Sequence, residues 1–226
     1  MSTFTQNLRY ALRTLGKSPM FTLVAIISLA LGIGANTALF SFMDRLLLRS
    51  LPVQDPELLT LLESPGPWVG RVENAAPFSW LASKEIRDEN QAFTGVLARY
   101  ESQVSVTYRN GTDLAQGELV SGNYFDVLGL HPTVGRFFLP EEDKVPGTNF
   151  VAVSGHGYWQ RKFGGDAAVV GQKLLINGQP FEVIGVAPAR FEGVLVGQEM
   201  ELFVPVTMKA QITPVFNGWR TGTLII

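Results

Sequence analysis

The chain has 226 residues, 46% of them hydrophobic and 17% charged, with a formal net charge of −2. That balance is too apolar for a disordered chain and too mixed for a polytopic membrane protein. The lack of cysteine and the presence of only two histidines exclude thiolate zinc sites, disulfide frameworks and cysteine nucleophiles, and no basic block offers a footprint for nucleic acid.

The charges are segregated along the chain. Residues 1–19 carry Arg9, Arg13 and Lys17 and no acid, and residues 18–43 carry no charge. The remaining 15 Lys and Arg face all 20 acidic residues from Asp44 onward, a net charge of −5. This divides the chain into a basic cytoplasmic or interfacial leader (1–19), a transmembrane helix with its extension (20–48) and an acidic exported domain (52–226).

Arg9, Arg13 and Lys17 recur every four residues, which predicts a short helix lying at the membrane surface; an unstructured leader is the alternative. Met20 to Met43 then gives 24 residues without charge. At 1.5 Å per residue they reach about 36 Å, enough to cross a hydrocarbon core with some tilt. A cleaved signal has a shorter apolar region and a small-residue cleavage site, whereas this stretch runs on into Asp44-Arg45-Leu46-Leu47-Leu48-Arg49, so a retained span is expected. The excess of positive charge before it places the N-terminus in the cytoplasm and the acidic domain outside. Within the span, Ser28, Gly32 and Asn36 lie four apart, as do Ala30, Gly34 and Ala38, spacing that lets another helix approach closely. Small residues are also common in any membrane helix. The Asn36 amide would lack partners against lipid, so it is expected to hydrogen-bond a neighbouring helix.

Proline at 52 stops the helix. Leu58–Leu62 predicts a buried strand, 64–77 a loop rich in proline and glycine, and Ser79 an N-cap for a helix running to Asn90. A strand is expected at Phe93–Ala98. A hairpin follows from Val104–Tyr108 through Asn110-Gly111 to Leu114–Val120, and a second from Lys173–Ile176 through Asn177-Gly178 to Phe181–Val186. Between them lie a short helix at Asn123–Leu128, a strand at Val151–Ser154 and a helix at Gly157–Phe163; a final strand is placed at Phe203–Val206. The fold class is α+β, one N-terminal transmembrane helix before a mixed domain of hairpins and short helices, without regular βαβ alternation.

No motif supports chemistry. Gly16-Lys17-Ser18 has the tail of a phosphate loop, but Ala11 stands where its first glycine belongs and no strand precedes it. Val153-Ser154-Gly155-His156-Gly157 lacks the glycine two before the serine that a nucleophile elbow requires, and reads as a strand-to-helix turn. His131 has no second ligand nearby. Glu141-Glu142-Asp143 reads as a solvated loop or helix cap rather than a cation site, and Asn110-Gly111-Thr112 fits both a sequon and a turn. Tyr124-Phe125, Phe137-Phe138 and Tyr158-Trp159 are expected in the core. No catalytic, cofactor or metal residue is assigned; the site candidates are the helix-packing residues Ser28, Ala30, Gly32, Gly34, Asn36 and Ala38.

Three stretches together carry a resemblance. They are Leu29-Ala-Leu-Gly-Ile-Gly-Ala-Asn-Thr-Ala-Leu-Phe-Ser41; Val120-Ser-Gly-Asn-Tyr-Phe-Asp-Val-Leu-Gly-Leu130 with Gly135-Arg136-Phe137-Phe138; and Trp159-Gln-Arg-Lys-Phe-Gly-Gly-Asp166 through Asn177-Gly178 to Val183-Ile-Gly-Val-Ala-Pro188. In this order they resemble the MacB/FtsX-like permeases, their orphan-permease branch above all. The resemblance implies a bacterial inner-membrane permease subunit of an ABC-type export or mechanotransmission system: a first membrane helix followed by a periplasmic core domain. Implied partners are a cytoplasmic ABC ATPase, a second permease copy, a periplasmic adaptor and the lipid bilayer. ATP hydrolysis would belong to the ATPase, so this chain is expected to be no enzyme and to need no cofactor. Family members continue with three further membrane helices. A chain ending at Ile226 is therefore expected to be a fragment, with a core domain incomplete at its C-terminus, or a non-transporting truncated permease. A single-span, membrane-anchored periplasmic interaction protein is the alternative.

Overall fold

The computed structural model describes residues 17–43, 51–62, 78–109, 111–195, 197–212 and 220–225, and the chain divides into two units, Met1–Arg49 and Ser50–Ile226. The leader before Lys17, the continuation at 44–50, the loop at 64–77 and Asn110 lie outside the described residues.

In the first unit, α1 runs Pro19–Met43, 25 residues or about 37 Å. Proline suits its first position, where the missing N–H would have no intrahelical partner. The backbone N–H and the hydroxyl of Thr22 both donate to the Ser18 carbonyl at 3.0 Å. The helix carries no charge in its first or last turn, and apolar side chains are exposed all around it, among them Phe21, Leu29, Leu31 and Phe40. A helix apolar on every face belongs in a membrane or deep in a core.

The second unit contains β1 (Thr60–Leu62), β2 (Phe78–Ser79), α2 (Trp80–Asp88), β3 (Val96–Tyr108), β4 (Gly111–Val120), α3 (Tyr124–Val127), β5 (Val134–Gly135), β6 (Val151–Ser154), α4 (His156–Phe163), β7 (Lys173–Ile176), β8 (Gln179–Val186), β9 (Leu202–Pro205), α5 (Lys209–Ile212) and β10 (Arg220–Ile225). The strands form one mixed sheet, ordered β1-β10-β3-β4-β9-β6-β8-β5. Strand β7 pairs with both β3 and β8, so the path β3-β4-β9-β6-β8-β7 returns on itself as a closed ring. Two pairs are parallel, β4 with β9 and β6 with β8; the second is joined through α4 and β7. A bulge at Ile184, between Val183 opposite Ala152 and Gly185 opposite Val153, reverses the alternation along β8.

Alternation along the strands divides the core into two clusters. One holds Val104, Val106, Leu119, Ala152, Phe181 and Leu202 with Tyr158 and Trp159 of α4; the other holds Leu97, Val120, Val153, Ile184 and Phe203 with Tyr124 and Phe125 of α3. In the second cluster Phe125 stacks on Phe137, ring centroids 3.9 Å apart, and meets Phe203 edge-on. The three aromatic pairs expected in the core are all buried.

Several boundaries differ from expectation. Strand β1 covers only Thr60–Leu62 and is not buried: among the described residues it ends the sheet and pairs only with β10, and Leu61 is 55% exposed. The strands expected at Phe93–Ala98 and Val104–Tyr108 are one 13-residue strand, because polar Arg99–Gln103 continue the ladder against Gly117–Val120 and Gln116. In the first hairpin Tyr108 pairs with Gly111, so the turn lies one residue earlier than expected; Arg109 takes φ 52° and Gly111 opens β4. The second hairpin turns at Asn177 (φ 48°) and Gly178 (φ 80°), the left-handed pair that a two-residue turn requires. Helix α2 ends two residues early, where Asn90 Oδ1 accepts from the N–H groups of Ala92 and Phe93. Strand β9 starts at Leu202, one residue early, and is followed by β10.

Candidate functional site

The six helix-packing candidates all lie on the exposed surface of α1. At 100° per residue, Ser28, Gly32 and Asn36 line one face, while Ala30, Gly34 and Ala38 line another roughly opposite. Nothing lies within 4 Å of a Cβ built at Gly32 or Gly34.

The second unit holds a charged network that sequence reasoning missed. Glu101 on β3 stands directly opposite Glu118 on β4, a like-charge pair that would weaken the ladder by itself. Arg99, two residues before Glu101 and therefore on the same face, offsets it: its Nε donates to Glu118 Oε1 and its Nη2 to Glu101 Oε1. Tyr124 of α3 donates its hydroxyl to Glu118 Oε2 at 3.0 Å. Glu118 is 0% exposed. Burial pushes its carboxyl up, against the pull of Arg99. Burial and the adjacent carboxylate push the Tyr124 phenol well above its ordinary range. Burial would lower Arg99, but the Glu118 and Glu101 carboxylates outweigh it and raise it. Charged residues at both Arg99 and Glu118, each beside apolar strand residues, were the available signal: they are buried only as a pair.

In the acidic triplet, Glu142 is a helix cap, one of the two expected readings, on the short 3-10 helix Pro140–Asp143, whereas Asp143 is buried rather than solvated. Glu142 accepts from Leu139 N at 2.8 Å and takes both Arg136 nitrogens, at 2.8 and 2.7 Å. Burial pushes Glu142 up, but these bonds hold it below its ordinary value. Asp143 is buried, where its Oδ2 accepts from Gly122 N at 2.9 Å and lies 3.6 Å from Arg87 Nη1. Burial raises Asp143 to about 6, against the opposing pull of the Gly122 N–H and of Arg87 and Lys84.

The Ser154–His156 segment joins β6 to α4. Ser154 is buried with its hydroxyl donated to the Gly155 carbonyl at 3.1 Å, and His156 lies edge-on to Trp159. Glycine stands at 155 because a Cβ there would come 2.3 Å from the Met200 carbonyl. Arg161 of α4 binds Glu199 at 2.8 Å and Glu201 at 2.6 Å, while Glu201 accepts from Gln116 N. Beside this contact lies a cavity of about 150 Å³ lined by His156, Arg190, Phe191, Glu192 and Glu199 among others. His131 is exposed. The geometry is that of ties between strands and helices.

An uncharged helix of bilayer-spanning length is followed in the chain by a mixed sheet domain braced by internal ion pairs. Among the described residues, one helix is long and apolar enough to cross a membrane, Pro19–Ser41. Residues 22–225 match the MacB-like periplasmic core domain, and the chain belongs to that family. Its fold is similar to the periplasmic region of MacB from Actinobacillus actinomycetemcomitans, at 19% identity and TM-score 0.57 over 74% of this chain and 72% of that one. It is also similar to the extracellular domain of the noncanonic ABC-type transporter YknZ from Gram-positive bacteria, at 18% identity and TM-score 0.55 over 74% of this chain and 81% of that one. No curated protein sequence matches the chain. The chain thus carries a MacB-like periplasmic core domain together with one helix long and apolar enough to cross a membrane.

Proposed function

We propose that this chain serves as the anchor helix and periplasmic core domain of a permease subunit, passing cytoplasmic ATP hydrolysis by a partner ATPase on to movement of the periplasmic domain during export. One observation carries the reading: the family match spans residues 22–225, from inside α1 through the sheet domain, so helix and domain fall within one family unit. The sheet suits transmission of force, since the closed strand path and the Arg99–Glu118–Tyr124 tie join its elements internally. The small-residue faces of α1 supply surfaces for a second permease copy or for other helices of the same assembly. ATP binding and hydrolysis are assigned to the partner, and this chain is assigned no catalytic group. A periplasmic adaptor is a further partner in this reading.

The test is to isolate the chain from native membranes in mild detergent and to digest the exported domain with protease, with and without ATP and vanadate. Co-isolation of an ATPase, and a cleavage pattern that changes when ATP turnover is trapped, is the expected result. Digestion of the domain in intact spheroplasts should accompany it. An isolated chain with no ATPase and a cleavage pattern indifferent to nucleotide would overturn the coupling, while cleavage only in inverted vesicles would overturn the topology.

A further inference from the structure

The turn at 139–144 is tied to the rest of the exported unit at a buried carboxyl. Within the turn, Glu142 caps Leu139 N and binds Arg136, and its carbonyl accepts from Asn149 Nδ2 at 3.0 Å. Across to the strand β4 exit, Asp143 Oδ2 accepts from Gly122 N, and a Cβ built on Gly122 would lie 2.8 Å from Asp143 Cβ. Among the described residues, Asp143 Oδ1 is buried with no hydrogen-bond partner. An ionised carboxylate oxygen that is buried and receives no donor is a costly arrangement. A proton on Asp143 removes the buried charge.

We propose that this turn is a proton-held clasp: with Asp143 neutral it stays seated on Gly122, and loss of that proton lets it open. Among the described residues, the charged groups facing Asp143 are those of α2: Arg87 at 3.6 Å, whose Nε is ion-paired with Asp88 at 3.0 Å, and Lys84; the turn 121–123 contributes none. On its own segment, Glu142 is taken by Arg136, and Glu141 and Lys144 are exposed and 4.0 Å apart. Arg87 is too far for a hydrogen bond, so it moderates the ionised carboxylate without replacing the proton. The direction follows from linkage. A carboxyl held at about 6 in the closed form and near its ordinary 3.8 in water favours opening as pH rises. An extracytoplasmic domain meets the pH of its surroundings directly.

Hydrogen exchange on the full chain in detergent, corrected for the intrinsic dependence of amide chemistry on pH, tests this. Opening of the peptides covering 118–125 and 139–149 should increase about tenfold from pH 5 to pH 7.5. In D143N the increase should vanish. R87M keeps the carboxyl but removes its nearest cation, so the same pH step should give a steeper increase than in the wild type. Opening independent of pH in the wild type, an undiminished increase in D143N, or an R87M response identical to the wild type would each overturn the clasp; if D143N does not fold, the wild type and R87M decide.

Discussion

Glu118 shows how a single residue takes its meaning from its neighbours. Alone on an apolar strand it is an error of patterning; beside Arg99 and Tyr124 it is a satisfied acceptor. Breaking one member of such a pair leaves the other charge buried without compensation, whereas replacing both with apolar groups is often close to neutral. Glu118→Leu should therefore destabilise the domain by about 3–5 kcal/mol, and Arg99→Met combined with Glu118→Leu should recover a large part of that loss. Denaturant midpoints of the two variants provide the check, and equal midpoints would remove the pair from the account. Neither Arg99 nor Glu118 could be assigned from the sequence, because 19 positions separate them and the register that joins them exists only once β3 and β4 pair.

At the scale of elements, legibility followed the range of the interactions. Asn177-Gly178 was readable because two left-handed residues in a row have few sequence solutions. Val151–Ser154, Asn177-Gly178 and the buried aromatic pairs were found at or near their expected places. The polar middle of β3 was not, since its residues are held by a partner strand and not by their own pattern. Strands β5 and β10 were missed for the same reason: β5 is two residues long, and both exist by pairing with distant strands. In α1, the apolar composition gives the length and the absence of charge, while small residues at four-residue spacing give two faces for close approach. Asn36→Leu should leave membrane insertion intact and weaken helix association by about 0.5–2 kcal/mol. Complex size in mild detergent, measured by sedimentation, would show this as a shift toward smaller species; no shift would mean that Asn36 is not at a packing face.

For the whole molecule, the balance of buried carboxyls sets how stability responds to pH. Burial raises Asp143 to about 6, above an ordinary 3.8. Its contribution to stability is therefore complete below about pH 4 and is lost as pH rises through 6, by about 2–3 kcal/mol in all. Glu142 works in the other direction, because Arg136 and Leu139 N hold it low despite burial, and its contribution is lost on acidification. Comparing wild type with Asp143→Asn isolates the first effect: from pH 4 to pH 7.5 the wild type should lose about that amount of unfolding free energy relative to Asp143→Asn, and parallel curves would place Asp143 in water.

The sequence by itself determined the division into a basic leader, an uncharged span and an acidic domain, along with most short helices and both hairpins. Each of these rests on composition or on contacts within a few residues, where periodicity and turn stereochemistry act. The tertiary structure alone decided that the strands close into a ring through β7, that an opposed pair of glutamates is bridged by Arg99, and that an acid in an apparently solvated triplet is buried against Gly122. These depend on residues brought together across long stretches of chain, and the free energy of a buried charge is set by whichever partner the fold places beside it.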